Sequence, residues 1–164
     1  MDAYQAILAR RCVRKYKPDP VSRELLLKLV DAGRLAPTAR NEQPWDFVVI
    51  TQPEKRRQIA ELAENGRFIA EAPACIAVLC RPTNYYIEDG SAATTQIMLA
   101  ATALGLGACW IAGDKKPYAA DVAALCEAPT GYKLVSLVAV GYVAEVPAPQ
   151  KRALEDVVHW ETFK

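Results

Sequence analysis

An α+β fold is what this sequence predicts, and three observations point there. Stretches of helical periodicity and short β-branched or apolar runs alternate without the strict strand–helix–strand rhythm of a parallel α/β protein. The run Ala74 to Cys80 is continuously apolar and of strand length, the pattern of a strand buried on both faces. The 164 residues hold no internal repeat, low-complexity tract or dividing linker, so a single domain, 1–164, is expected.

The elements follow in order. Tyr4, Ile7 and Leu8 recur at helical spacing, so a short helix is expected over about residues 2–9. Pro18 and Pro20 break regular structure after it. Ser22 is placed to cap a second helix, with Leu25, Leu26, Leu29 and Val30 on its apolar face and its end near Arg34. A polar loop runs from Pro37 to Pro44, and Phe47 to Ile50 reads as a strand. Pro53 suits the first position of a third helix, with Ile59 and Leu62 inward. After the 74–80 strand, a helix is expected from Asp89 to Leu104, stopped by Gly105. Ala92, Ala93, Ile97, Met98, Leu99, Ala100, Ala101 and Leu104 make it apolar around most of its girth. Such a helix is either a central core element or part of a dimer interface. Ala108 to Ile111 is a third strand, Pro117 to about Leu125 a short helix, and Leu134 to Val140 a fourth strand closed by Gly141. The Pro-rich, basic stretch after Val146 leads to a tail whose Val157, Val158 and Trp160 call for a packing partner.

Composition narrows the function. A 52% apolar and 24% charged chain is an ordinary globular one, and its net charge of +1 argues against nucleic acid or an anionic membrane as the general partner. The five cysteines are odd in number and lack C-x-x-C spacing, so reduced, buried thiols are expected rather than a metal site. An acidic, helical N-terminus is unlike a signal peptide, and no apolar stretch reaches the ~18 residues of a membrane span. A cytoplasmic protein is expected. His159 is the only histidine, and its place beside Trp160 in the tail suits packing better than a hydrolase triad or a metal ligand. Gly105-Leu106-Gly107 lacks the third glycine of a dinucleotide fingerprint and precedes a strand rather than following one.

Two clusters can carry chemistry. Arg10, Arg11 and Arg14 put three guanidinium groups within five residues, next to Cys12. Arginine grips phosphate in a planar, bidentate way, yet by spacing alone a solvated basic turn is the better reading. The loop Ala36 to Trp45 is dense in amides and hydroxyls between stiffening prolines. Its Asn41 and Gln43 offer donors and acceptors that could match the edge of a flavin ring or simply cap a surface loop.

In combination these segments resemble the nitroreductase family of flavoproteins. The R-R-x-x-R run is followed by A-P-T-A-R-N-E-Q-P-W. The resemblance continues through residues 65–73 and 103–111, and ends with Lys151, Arg152 and the tail 154–160. It implies a central, mostly antiparallel sheet flanked by helices, in an intertwined homodimer with FMN at the subunit interface. It implies that Arg10, Arg11 and Arg14 hold the phosphate and ribityl groups. Position 12, commonly serine in the family, is here Cys12, a weaker donor that can still offer its backbone amide. Pro37, Thr38, Ala39 and Asn41, with Gln43, match a loop that reaches the flavin from the other subunit. Asn65 matches a polar residue near the ring. Ala112 and Gly113 match backbone beside the ring, and Lys151 and Arg152 a late basic pair over the phosphate. The tail, about 146–164, would pack on the partner subunit.

The activity implied is ping-pong transfer of hydride from NADH or NADPH through FMN to a nitroaromatic, a quinone or a similar electron-poor acceptor. No catalytic side chain is required, because the cofactor carries the hard chemistry. Arg10, Arg14 or Lys15 could supply the cation that stabilises negative charge on the ring. A non-catalytic flavin binder and a specialised flavoenzyme such as a dehalogenase are the alternative readings. The chain is short for such a protein, so its substrate site is expected to be open, or closed by a segment such as 114–118.

Overall fold

The computed structural model describes residues 1–163. In chain order the elements are α1 (Ala3–Ala9), α2 (Arg23–Arg34), β1 (Trp45–Ile50), α3 (Pro53–Leu62), β2 (Ala74–Cys80), α4 (Tyr86–Ala103), β3 (Gly107–Ala112), α5 (Ala119–Leu125) and β4 (Lys133–Gly141). Short 3-10 turns lie at Ala39–Asn41, Glu64–Ala70 and Leu154–Asp156.

β2 organises the molecule because every one of its residues is buried. It pairs with β1 on one side and β4 on the other, and β3 adds beyond β4, giving the order β1-β2-β4-β3 with all pairs antiparallel. Side chains alternate across a strand, so Ile76 and Val78 face one layer and Cys75, Ala77 and Leu79 the other. α2 and α4 cover the first face through Leu29, Ile97 and Met98. α3, the 64–70 turn and α5 cover the second through Ile59, Ile69 and Val122. The antiparallel sheet flanked by helices is therefore as expected.

Local signals account for most boundaries. The Ser22 hydroxyl accepts from the Leu25 amide at 3.3 Å and caps α2, and Asp2 does the same for α1 with the Gln5 amide at 2.8 Å. Gly105 takes φ +77°, the left-handed stop that ends α4. Three expectations shift. β1 begins at Trp45, two residues before Phe47, because Trp45 pairs with Cys80 and is itself buried. α4 begins at Tyr86, three residues before Asp89. In α3, Ile59 is inward but Leu62 is 38% exposed; Arg56 and Ala60 take the inward positions instead. Arg56 reaches under the 64–70 turn and donates to the carbonyls of Ala70, at 3.1 Å, and Ala72.

α4 is buried along Ala93, Thr94, Ile97, Met98 and Ala101. The Thr94 hydroxyl is satisfied by the Gly90 carbonyl and by Ser136 of β4, each at 2.7 Å. Its opposite side remains partly open at Ala92, Leu99 and Ala100, and is exposed at Ala103 and at Leu104 just beyond its end. Among the described residues no helix is long and apolar enough to cross a membrane. All five cysteines are free, four of them buried and Cys12 half-buried.

Candidate functional site

The basic N-terminal segment is held as an extra strip along the sheet edge. α1 ends at Arg10, and Cys12 then bridges Ala108 of β3 in parallel, with the Val13 amide donating to the Ala108 carbonyl at 3.0 Å. Further on, Tyr16 bridges Val143, and the Lys17 amide donates to Tyr142 at 2.9 Å. The Tyr16 hydroxyl donates inward to the carbonyl of Val13 at 2.5 Å and lies 3.2 Å from that of Ala139. Its burial pushes the phenol well above its ordinary range.

This strip fixes where the arginines point. Arg11 turns back and donates to the carbonyls of Leu8, at 2.8 Å, and Arg10, at 2.9 Å. Arg10 reaches the Cys12 sulfur at 3.8 Å. Arg14 lies over the Phe68 ring, 5.9 Å from its centroid. Among the described residues, Lys15, Lys28, Arg34 and Arg57 each pair with a carboxylate, whereas Arg10, Arg11 and Arg14 enter no such pair.

Arg14 also opens onto a pocket of about 150 Å³ at the end of β3. Asn65 and Phe68 of the 64–70 turn form one wall, β3 residues Trp110 and Ala112 the floor, and Lys116 and Tyr118 the rim. The Tyr118 hydroxyl donates to the Ala112 carbonyl and so ties the 114–118 segment to the strand. Gly113 donates its amide to Val135 at 3.0 Å. A β-carbon at Gly113 would stand 2.7 Å from the Leu134 carbonyl oxygen, so its glycine serves the close approach of two backbones. Backbone groups alternate in direction along a strand. Since Ala108 faces the outer edge, so does Ala112, and its amide points away from β4 towards the pocket side.

The loop at 37–44 lies at the same end of the sheet but at the other edge. β1 and β3 are three strand spacings apart, which is about 14 Å. The loop has a defined shape, with Arg40, Asn41 and Gln43 all at positive φ (54°, 57° and 45°). Three clamps hold it. The Ala39 amide donates to the buried Asp89 carboxylate at 3.0 Å. The Arg81 guanidinium donates to the Glu42 and Gln43 carbonyls at 3.0 and 3.3 Å. The Gln43 amide donates to the Thr38 hydroxyl at 3.3 Å. Nearby, the Tyr86 hydroxyl donates to Asp114 at 2.8 Å; burial and then this hydrogen bond raise its pKa.

Of the residues singled out from sequence, Arg14, Asn65 and Ala112 therefore share one pocket, with Arg10, Arg11 and Cys12 on the strip beside it. Pro37, Thr38, Ala39, Asn41 and Gln43 form the separate loop. Lys151 and Arg152 lie on the exposed tail, where Arg152 donates to the Asp156 carbonyl. The tail presents Leu154, Trp160 and Phe163 at 74%, 80% and 90% exposure. Its last residue, Lys164, lies outside the described residues. Lys116 and Tyr118 at the pocket's rim belong to the 114–118 segment expected to close the site, whereas Phe68 and Trp110 were not singled out as pocket residues, nor Asp89 and Arg81 as clamps. Nothing local marks Asp89 and Arg81, because each acts through a contact about forty to fifty residues away in sequence.

The sequence model of a protein family described as the nitroreductase family matches residues 7–86 and 65–142. A protein of Methanothermobacter thermautotrophicus, provisionally named an NADH dehydrogenase/NAD(P)H nitroreductase, is 33% identical over 99% of this chain and 88% of its own length. A crystal structure from Parabacteroides distasonis with the same provisional name superposes with a TM-score of 0.92 at 30% identity, covering 98% of both chains. An FMN-dependent nitroreductase from Clostridium difficile superposes with a TM-score of 0.88 at 28% identity, over 96% of this chain and 98% of its own.

Proposed function

Since the chain belongs to the nitroreductase family, we propose that it is an FMN-dependent oxidoreductase that takes hydride from NADH or NADPH and passes it to electron-poor acceptors such as nitroaromatics or quinones, the two substrates using one site in turn. One observation carries the assignment of the site: Arg14, which has no carboxylate partner, lines a pocket with Asn65 and Ala112, and Arg10 and Arg11, without such partners too, precede it on the same strip.

The donor set fits a flavin mononucleotide. Guanidinium groups suit its phosphate, and the Asn65 amide and the Ala112 amide suit the carbonyls and nitrogens of its ring edge. When bound, FMN supplies a centre that accepts and returns hydride. The residues around it do the rest. Arg10 and Arg11 hold the phosphate. Arg14 supports negative charge on the ring, and it suits this better than Lys15, which is committed to Glu145 at 2.5 Å. Phe68 and Trp110 give apolar contact, and Lys116 and Tyr118 limit the entrance.

Completion of the site by a second copy is part of the same proposal. About 150 Å³ is too small for a cofactor, whose sites usually measure ~300–1,000 Å³. The missing walls would come from the partner's 37–44 loop, with Pro37, Thr38, Ala39, Asn41 and Gln43. Lys151, Arg152 and the exposed tail would pack across the interface, where α1 also offers Tyr4, Ile7 and Leu8 at 66%, 54% and 50% exposure. The test is direct. The purified protein should carry or take up FMN, and NADH or NADPH should bleach its yellow colour without oxygen. A protein that binds no added FMN overturns the reading; one that binds FMN but is not bleached is a flavin binder without this activity.

A further inference from the structure

Lys116 stands at the rim of the pocket with no charge set against its own. It lines the pocket, and among the described residues it enters no ion pair. No carboxylate is among the described lining residues either; Asp114, just before it, accepts from the Tyr86 hydroxyl at 2.8 Å instead. The other cation of the lining is Arg14, which the reading above assigns to the flavin ring. Three aromatic side chains, Phe68, Trp110 and Tyr118, share the wall. Lys116 is exposed, and a ring bound against that wall would shield it from water on one side.

The backbone beneath Lys116 is fixed. Its amide donates to the Gly113 carbonyl at 3.2 Å, and its carbonyl accepts from the Ala119 amide at 3.0 Å. Lys115 takes a left-handed φ of 59°, and Pro117 stiffens the other side. The turn is tied to β4 through the Gly113 amide on Val135, to α4 through Tyr86 and Asp114, and to β3 through Tyr118 and Ala112. A cation on so firm a base loses less freedom when it pairs with a ligand. Lys115, its neighbour, is not among the lining residues.

We propose that Lys116 is a specificity residue that selects electron-poor aromatic acceptors carrying a carboxylate or sulfonate on the ring. This rests on the flavin reading given above and adds to it the charge of the acceptor. The aromatic wall holds any flat ring, so a single placed cation supplies the discrimination. The nicotinamide donor is anionic too, but a ribose sets its phosphates apart from the reacting ring. An acceptor of one or two rings carries its charge on the ring itself, and a cation at the mouth of the pocket suits that arrangement.

The experiment uses the FMN-loaded protein, reduced by NADH and reoxidised by naphthoquinone sulfonate or by uncharged naphthoquinone. The readout is the ratio of kcat/KM for the two acceptors, so their intrinsic reactivities cancel between variants. In Lys116→Gln the ratio should fall about tenfold, between the worth of an exposed ion pair and that of a buried charged contact, and the fall should lie in KM. Lys116→Arg should keep most of the preference, Lys115→Gln all of it, and added salt should shrink it in the unaltered protein. Benzoate, followed by its shift of the oxidised flavin spectrum, should also bind about tenfold more weakly to Lys116→Gln. An unchanged ratio, an equal fall in Lys115→Gln, or a fall confined to kcat/KM for NADPH would overturn the proposal. So would loss of FMN affinity in Lys116→Gln, which would make Lys116 a cofactor ligand. An unaltered protein that binds no FMN defeats the reading of the site, and this proposal with it. In one that binds FMN but is not bleached, the benzoate titration still decides.

Discussion

The carboxylate of Asp89, on the first turn of α4, accepts the backbone amide of Ala39 at 3.0 Å, fifty residues earlier in the chain. Its second oxygen is buried without a partner. The helix thereby holds a loop with three non-glycine residues in the left-handed region, a conformation that costs energy unless its surroundings impose it. Asp89→Ala should lower stability by ~1–3 kcal/mol, the cost of leaving a part-buried donor without its partner. Proteolysis should then nick the loop first. Asp89→Asn keeps an acceptor and should recover most of the loss in urea unfolding. Equal loss in both variants would show that charge, not acceptance, matters at this position.

Arg10 and Arg14 should carry FMN affinity. Their joint replacement by alanine removes two charge-assisted contacts, each worth ~1.5–3 kcal/mol, so FMN should bind at least roughly a hundredfold more weakly by flavin fluorescence titration. Lys15→Ala should change affinity little, because that ammonium already pairs with Glu145. Unchanged binding in the double variant would remove both the phosphate contact of Arg10 and the ring contact of Arg14 from the site.

Gly113→Ala should destabilise the protein by ~1–3 kcal/mol. Its β-carbon would meet the Leu134 carbonyl oxygen at 2.7 Å, and β4, an inner strand, has little room to retreat. Chemical denaturation measures the loss. A neutral result would show that β3 shifts freely at the pocket.

Stability should fall at alkaline pH in the presence of reductant. Burial pushes the Cys80 and Cys109 thiols up to about 12, and that of Cys75 further, whereas thiols in the unfolded chain titrate near 9. Between those values the folded state binds more protons than the unfolded one, so stability decreases as pH rises. This contribution is complete below about pH 9 and is lost progressively towards about pH 12. Melting temperatures across that window test it, and a flat profile would contradict the buried thiols.

Deleting the tail from Val146 onward should weaken self-association, since it removes the exposed Leu154, Val157 and Trp160 that suit an interface. Sedimentation velocity should show a shift to monomer, with loss of FMN. A flavin-loaded monomer of either form would defeat the two-chain site.

Legibility in the sequence followed the range of the interactions involved. Ser22, Gly105 and the 74–80 run are local signals, and the elements they mark appear where expected. The inward face of α3 was misread at Leu62 because Arg56 can be buried only by reaching carbonyls fourteen and sixteen residues on. Periodicity treats such a residue as polar and places it outside. In the site, the arginine run and the 37–44 loop stand out by composition. Their separation across the sheet depends on strand order, which no local pattern encodes. The 114–118 segment was expected near the site, but the bond from Tyr118 to Ala112 that holds it there is not a pattern composition reveals.

The N-terminal strip covers β3 only as far as Ala108 and then crosses to the continuation of β4. Trp110 and Ala112 are left without a strand partner on that edge, although the Ala112 carbonyl accepts from the Tyr118 hydroxyl. A long naked edge invites other chains to add as strands and aggregate. A gap this short offers too little ladder for a foreign strand, yet it leaves a backbone donor free for a small molecule. Lengthening the gap, by freeing residues 10–17 from the sheet, should turn a docking point into a seed for precipitation.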